Sequence, residues 1–452
     1  MALETSDPEQ PKPSVFAGVT AGEIDSSREP LIDGGGSPSE SYSVKAAILP
    51  FFFPALGGLL YGYDIGATSG ATISLESSEL SGTTWYDLSS VEIGLVVSGS
   101  LYGALIGSIL AFTVADFLGR RRELILSSLL YLVGAVLTAL APNFPIMVIG
   151  RFVFGIGIGL AMHAAPMYIA ETAPSQIRGR LISLKEFFIV FGMLFGYISG
   201  SLYVGLVSGW RYMGQNQHNS VSEQVDSILD ELSYSDQDKA VTFRDIFKGK
   251  CLKALIIGAG LVFFQQVTGQ PSVLYYAATI LQSAGFSAAA DATRVSILLG
   301  LLKLIMTGVA VLVVDRLGRR PLLIGGVSGI AISLFLLSSY YTLLNHSPLV
   351  AVIALLLYVG CYQLSFGPIG WLMISEIFPL RFRGRGLSVA VLVNFASNAL
   401  VTFAFSPLEA LVGTGVLFAG FGVIAIASLL FIFFVVPETK GLTLEEIEAK
   451  IL

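Results

Sequence analysis

"VADFLGRRREL" at Val114–Leu124 and "VVDRLGRRPLL" at Val313–Leu323 are two copies of one pattern: an apolar run, an acid, a glycine and a cluster of arginines, displaced by about 200 positions. A second pattern, Glu-x-x-Pro-x-x-x-Arg-Gly-Arg, occurs at Glu171–Arg180 and again at Glu376–Arg385 with a similar displacement. Two different patterns repeated in the same order, so far apart, indicate two like halves rather than a short solenoid repeat. The surrounding sequence says what the halves are made of. The 452 residues are 54% hydrophobic and only 13% charged, with a mean hydropathy of +0.76, so lipid must be the solvent for most of the chain. The expected fold is therefore all-α and polytopic, a membrane protein of two helical bundles.

A bilayer core needs roughly 20 apolar residues per helix. Candidate spans lie near 46–70, 91–115, 124–141, 146–171 and 181–208, and then near 254–283, 295–314, 322–344, 349–378, 387–408 and 412–436. The domain plan is a disordered cytosolic tail (1–44), an N-terminal bundle (45–213), a cytosolic linker (214–253), a C-terminal bundle (254–436) and a second cytosolic tail (437–452). The first tail is rich in Pro, Gly, Ser and acids and cannot bury enough apolar surface to order itself. It shows no cleaved signal, and its acids argue against a plastid transit peptide.

The repeat pairs the second span with the eighth of a twelve-helix plan and the fourth with the tenth, which leaves the last span without a partner. Charge placement makes the same point. Arg120, Arg121, Arg122, Arg178, Arg180, Arg316, Arg319, Arg320, Arg381, Arg383 and Arg385 belong on the cytosolic side, whereas loops 73–90, 142–145 and 345–348 contain no Lys or Arg. An even number of spans before Lys253 satisfies both halves, and five do not. Something is missing between Tyr212 and Gln215, and 11 spans are recognisable.

Composition excludes several functions. The net charge of -6 offers no basic surface for nucleic acid. Cys251 and Cys361 lie far apart in unlike contexts, and three scattered histidines add no metal site. There is no nucleophile–base set and no phosphate loop, so an enzyme is not expected.

The polar residues inside the spans carry the chemistry. Asp64, in "GGLLYGYDIGATSG", lies deep in the first span among Gly57, Gly58, Gly62, Gly66 and Gly70, which permit close helix approach. Arg151 in the fourth span is the cationic partner. A carboxylate that pairs with Arg when ionised and is freed when protonated couples proton binding to a conformational equilibrium, while a purely structural ion pair is the alternative. Gln265 and Gln266, in "FFQQVTGQPSVLYYA", place two amides before the helix-breaking Pro271 and the rings of Tyr275 and Tyr276. Amides suit sugar hydroxyls and rings suit the apolar face of a pyranose, with interhelical hydrogen bonding as the alternative. Trp371 and Asn394 complete such a site. The acids and arginines of the repeated loops, Asp116, Arg120, Glu171 and Arg178 in one half and Asp315, Arg319, Glu376 and Arg383 in the other, suit an inner gate that locks and releases. Lys303, 12 residues before Asp315, is about 18 Å up its helix, too deep for easy snorkelling. It should face a polar interior, pair with an acid, or be satisfied by backbone carbonyls.

At these motifs, from about Lys45 to "PETKGLTLEEIE", the chain resembles the sugar porter branch of the major facilitator superfamily, and within it the plant vacuolar glucose transporter group, also called D-xylose-proton symporter-like proteins. The resemblance implies a twelve-helix fold with alternating access, no cofactor, and a proton gradient as the driving force. It implies a monosaccharide substrate of the glucose or xylose type and a monomer in the vacuolar membrane, with the plasma membrane or plastid envelope as alternatives. Asp64 matches the proton-coupling acid, Arg151 its partner, and Gln265, Gln266, Tyr275, Trp371 and Asn394 match sugar-contacting positions. Glu186 replaces a family glutamine, Pro271 replaces a family asparagine, and Phe395 stands where some relatives have Trp; Glu186 thereby becomes a candidate site residue and a second titrating group. The alternatives in function are a facilitative uniporter, a non-transporting sugar sensor, and a non-functional form lacking the sixth helix.

Overall fold

The computed structural model describes residues 44–172, 178–215, 250–286, 289–344, 348–378 and 383–440. The tail 1–43, most of the linker and the last residues of the chain therefore lie outside the described residues. The N-terminal half contains α1 (Val44–Glu76), α2 (Ser90–Ala139), α3 (Phe144–Thr172) and α4 (Arg178–Tyr203). The second half contains α5 (Lys250–Val267), α6 (Gln270–Tyr275), α7 (Ala277–Ser283), α8 (Ala289–Leu317), α9 (Arg319–Ser339), α10 (Pro348–Leu364), α11 (Phe366–Ile377), α12 (Arg383–Val412) and α13 (Thr414–Val435). Among the described residues, ten stretches are long and apolar enough to cross a bilayer; the 33-residue α1 covers the first expected span.

The repeat is visible in the backbone. Gly119 within α2 (φ 76°, ψ 159°) and Gly318 between α8 and α9 (φ 96°, ψ 162°) occupy matching positions of the two copies and adopt nearly the same left-handed conformation. Only glycine visits it without strain, so each copy ends one span and turns the chain into the next. The start of α2 is fixed by a capping box in which Ser89 Oγ accepts from the Glu92 N–H and the Glu92 carboxylate accepts from the Ser89 N–H.

Two expected spans differ in detail. The fifth ends at Tyr203 rather than 208, because residues 204–208 turn, with Ser208 at φ 60°, into a short helical stretch over 209–215. There Trp210 donates to the Ser81 carbonyl and stacks edge-on against Trp85. The stretch 254–283 is broken at Gly269 (φ 92°), two residues before Pro271, which sits in the first turn of α6 where its missing N–H costs nothing.

α1 and α4 pack backbone to backbone. A Cβ on Gly62 would stand 1.8 Å from the Ile189 carbonyl oxygen, and one on Gly192 would stand 1.9 Å from that of Leu59. Facing glycines on both helices thus allow the close approach that drives helix association in lipid. α4 also packs on α8, and α2 on α12, and these contacts join the two halves. Tyr197 of α4 donates to the Leu274 carbonyl, and Ser69 of α1 accepts from the Ala278 N–H. The chain leaves α4 beside Ser81 and resumes in α5, whose Gly258 lies against Phe378 near the arginine-rich end. Residues 216–249, which join these opposite ends, lie outside the described residues.

Candidate functional site

Three helices bring the first cluster together. Arg151 of α3 donates from Nη1 to Asp64 Oδ1 at 3.2 Å and from Nη2 to Oδ2 at 3.4 Å. The same Nη2 donates to the Val97 carbonyl and to Ser100 Oγ of α2, and Ser100 donates to Asp64 Oδ2 at 3.0 Å. Asp64 is 3% and Arg151 7% exposed, so the pair is desolvated and its strength depends on the other charge being present. Ser100 was not legible as part of this site: a serine directly after Gly99 says nothing about its depth relative to Asp64.

The second half presents a second cluster across from the first. Gln266 Nε2 donates to Asn394 Oδ1 at 2.5 Å, and Gln265 Nε2 donates to the Phe366 carbonyl at the broken junction between α10 and α11. Both glutamine Oε1 atoms and the Tyr275 hydroxyl are buried without a hydrogen-bond partner among the described residues. Tyr275 reaches toward the first half and lies in the electrostatic field of Asp64 and Arg151. Asn398 donates to the Tyr61 hydroxyl at 3.4 Å, and Phe395 packs edge-on against the Tyr61 ring. Trp371 is half-buried against this core. Unpaired acceptors and a hydroxyl facing one another between two bundles form a site that a polyhydroxylated ligand satisfies. Glu186 of α4 is half-buried and interacts electrostatically with Lys185 and with Lys303 of α8. Lys303 is buried over the Tyr362 ring, and among the described residues no backbone carbonyl accepts from its ammonium.

At the arginine-rich end, Arg319 Nη2 donates to Glu376 Oε1 at 2.9 Å. The side chains of Asp116, Arg120, Glu171, Arg178, Asp315 and Arg383 lie outside the described residues. The structure adds a partner in the segment after α13. Thr439 donates to Glu376 Oε2, and the Glu438 carboxylate accepts from the backbone N–H groups of Arg319, Arg320, Thr439 and Lys440. Partial burial alone would raise the Glu438 pKa, but these four donors, two at the start of α9 and two in its own segment, outweigh it and hold the carboxyl below its ordinary value. A second buried pair, Glu123 Oε1 and His163 Nδ1 at 3.0 Å, joins α2 to α3. No group of three or more metal-ligating side chains converges among the described residues.

The family described as "Sugar (and other) transporter" matches residues 51–215 and again 211–451. This chain belongs to that sugar transporter family, within the major facilitator superfamily. The two family matches meet at 211–215, the point at which the sequence leads one to expect a missing span. "D-xylose-proton symporter-like 2" of Arabidopsis thaliana is 64% identical and covers 99% of each chain. That comparison runs over 501 positions, more than the 452 residues here, so the relative carries residues with no counterpart in this chain. "D-xylose-proton symporter-like 3, chloroplastic" of the same plant is 58% identical over 96% of this chain and 87% of the relative. Among solved structures, a D-xylose-proton symporter is 30% identical, with a TM-score of 0.76, covering 88% of this sugar transporter family member and all of the other chain.

Proposed function

We propose that this protein is a proton-coupled carrier of monosaccharides of the glucose or xylose type, working by alternating access between its two bundles. The observation that carries this reading is the buried Asp64–Arg151 pair, set across from the unpaired Oε1 acceptors of Gln265 and Gln266 and the hydroxyl of Tyr275. Protonating Asp64 removes the charge that Arg151 holds, so the proton and the sugar act on one interface between the halves. A coupling acid whose field reaches Tyr275 of the sugar site favours symport over uniport. The related proteins are named for D-xylose-proton symport, which supports the same substrate class. The driving force is a proton gradient with no cofactor, the protein acts as a monomer, and its compartment is the vacuolar membrane, the chloroplastic relative making the plastid envelope the alternative.

Uptake of labelled D-xylose and D-glucose into proteoliposomes, with and without an imposed pH gradient, tests this. Accumulation above equilibrium only with the gradient supports it; equilibration that ignores the gradient identifies a uniporter instead.

A further inference from the structure

At the end opposite the arginine-rich loops, where α1 and α12 finish and α2 begins, a cavity of about 230 Å³ lies between the two halves. The first half contributes Glu76 and Ser90, and the second contributes Tyr276, Thr279, Ser406 and Glu409. None of these belongs to the ion pair or the amides of the central site. The two sites meet at one dipeptide at the junction of α6 and α7: Tyr275 carries the unpaired hydroxyl of the central site, and Tyr276 forms a wall of the outer cavity. Tyr276 is held in place by its hydroxyl, which donates to the Thr402 carbonyl, and by its ring, which stacks on Phe405 with centroids 4.8 Å apart.

This lining suits a ligand rich in hydrogen-bond donors. Ionised carboxylates only accept, and among the described residues neither Glu76 nor Glu409 pairs with a lysine or arginine. Glu409 Oε1 takes one bond from Thr414 at 2.9 Å, which orients the carboxylate and occupies only part of its accepting capacity. Thr279 Oγ1 is buried with no hydrogen-bond partner among the described residues. A bare cation fits poorly: no third metal-ligating side chain joins the two carboxylates, and the cavity is roughly seven to eight times the volume of a water molecule in the liquid. A polyol fits on each count. Its hydroxyls donate to the carboxylates and exchange bonds with the serine and threonine hydroxyls, and the apolar face of its ring suits the tyrosine.

We propose that this cavity is a second monosaccharide site, an outer docking site that a sugar occupies before it enters the central site or after it leaves. The inference rests on the sugar-carrier reading. The carboxylates of Glu76 and Glu409 take hydroxyls of one ring from the two halves, and the volume admits a single ring. Glu76 and Ala410 are exposed at the rim, so water competes for the same acceptors and the outer site binds more weakly than the central one.

Saturation-transfer NMR of D-xylose on the purified full chain reads sites of this strength. Binding should require two dissociation constants, the outer one weaker by about 10-fold or more. Glu409→Gln keeps an acceptor for Thr414 and removes the charge, and should weaken the outer site by roughly 10-fold to 150-fold. Ala410→Phe fills the cavity from the rim and should abolish the outer site. Both should change the central constant by less than about threefold, and Gln266→Ala should do the reverse. Retained central binding shows that the two outer variants are folded. The proposal is overturned if the unaltered chain needs only one constant for D-xylose, or if Glu409→Gln and Ala410→Phe leave both constants unchanged. A saturable calcium site on the unaltered chain that Glu409→Gln removes would overturn it too, by assigning the carboxylates to a cation. If D-xylose binds at neither site, the sugar-carrier reading itself fails, and this inference with it.

Discussion

The Asp64–Arg151 pair can be dissected by a double-mutant cycle using Asp64→Asn, Arg151→Met and the two together. Asp64 accepts three hydrogen bonds, two from Arg151 and one from Ser100, while Arg151 keeps only the Val97 carbonyl and Ser100 if the carboxylate is lost. Each single replacement leaves one buried charge without its partner, at a cost of about 3–5 kcal/mol. Asparagine still accepts from Ser100, so Asp64→Asn should fall at the low end and Arg151→Met at the high end. Removing both charges leaves no orphan, and the double variant should be within about 1–2 kcal/mol of the unaltered protein. The coupling energy is therefore about 3 kcal/mol or more, roughly a 150-fold effect on the unfolding equilibrium. Unfolding in mixed micelles followed by tryptophan fluorescence measures it, since Trp85 and Trp210 pack against each other at one end of the first bundle. Additivity within about 0.5 kcal/mol would refute the argument that these charges depend on each other. The folded double variant should bind sugar yet fail to accumulate it against a gradient. Undiminished uphill transport by Asp64→Asn would remove the coupling role.

Gln266→Ala should raise the sugar KM by roughly 5-fold to 150-fold, because it strands Asn394 and removes the unpaired acceptor; unchanged sugar binding with intact folding would make the glutamine a helix–helix contact only. Glu438 has a folded pKa below its ordinary value of 4.5, so its contribution to docking the segment after α13 is complete above that value and is lost as pH falls through the lower folded one. Proteolytic sensitivity of that segment should therefore rise on acidification below about pH 4.5, and Glu438→Gln should show raised sensitivity already at neutral pH with no further rise. Inserting an apolar span of about 20 residues after Met213 should give one uniform topology in a cysteine-accessibility map and raise transport, because it lets the arginine loops of both halves stay on the cytosolic side; a uniform topology with full transport by the unmodified chain would show that residues 216–249 already make the crossing.

Much of this architecture is determined by sequence alone, because lipid is a nearly uniform solvent and imposes local rules. The length of each apolar stretch, the side on which Arg319 or Arg120 must lie, and the cost of placing Asp64, Arg151 or Lys303 inside a span can each be read without knowing any contact. The two-fold repeat adds the pairing of halves, and the matching conformations of Gly119 and Gly318 express it in the backbone. Local rules do not say which face of one helix meets which face of another. That Ser100 bonds Asp64, that Tyr61 of the first half meets Asn398 of the second, and that Tyr362 stands between Lys303 and Gln265 are decided by helix rotation and depth. So is the docking of Glu438 and Thr439 on α9 and Glu376, where residues far apart in the chain meet at one end of the bundle. Rotation and depth are set by backbone approaches such as Gly62 against Ile189 and by packing summed over the whole interface, and no segment of sequence carries that information by itself.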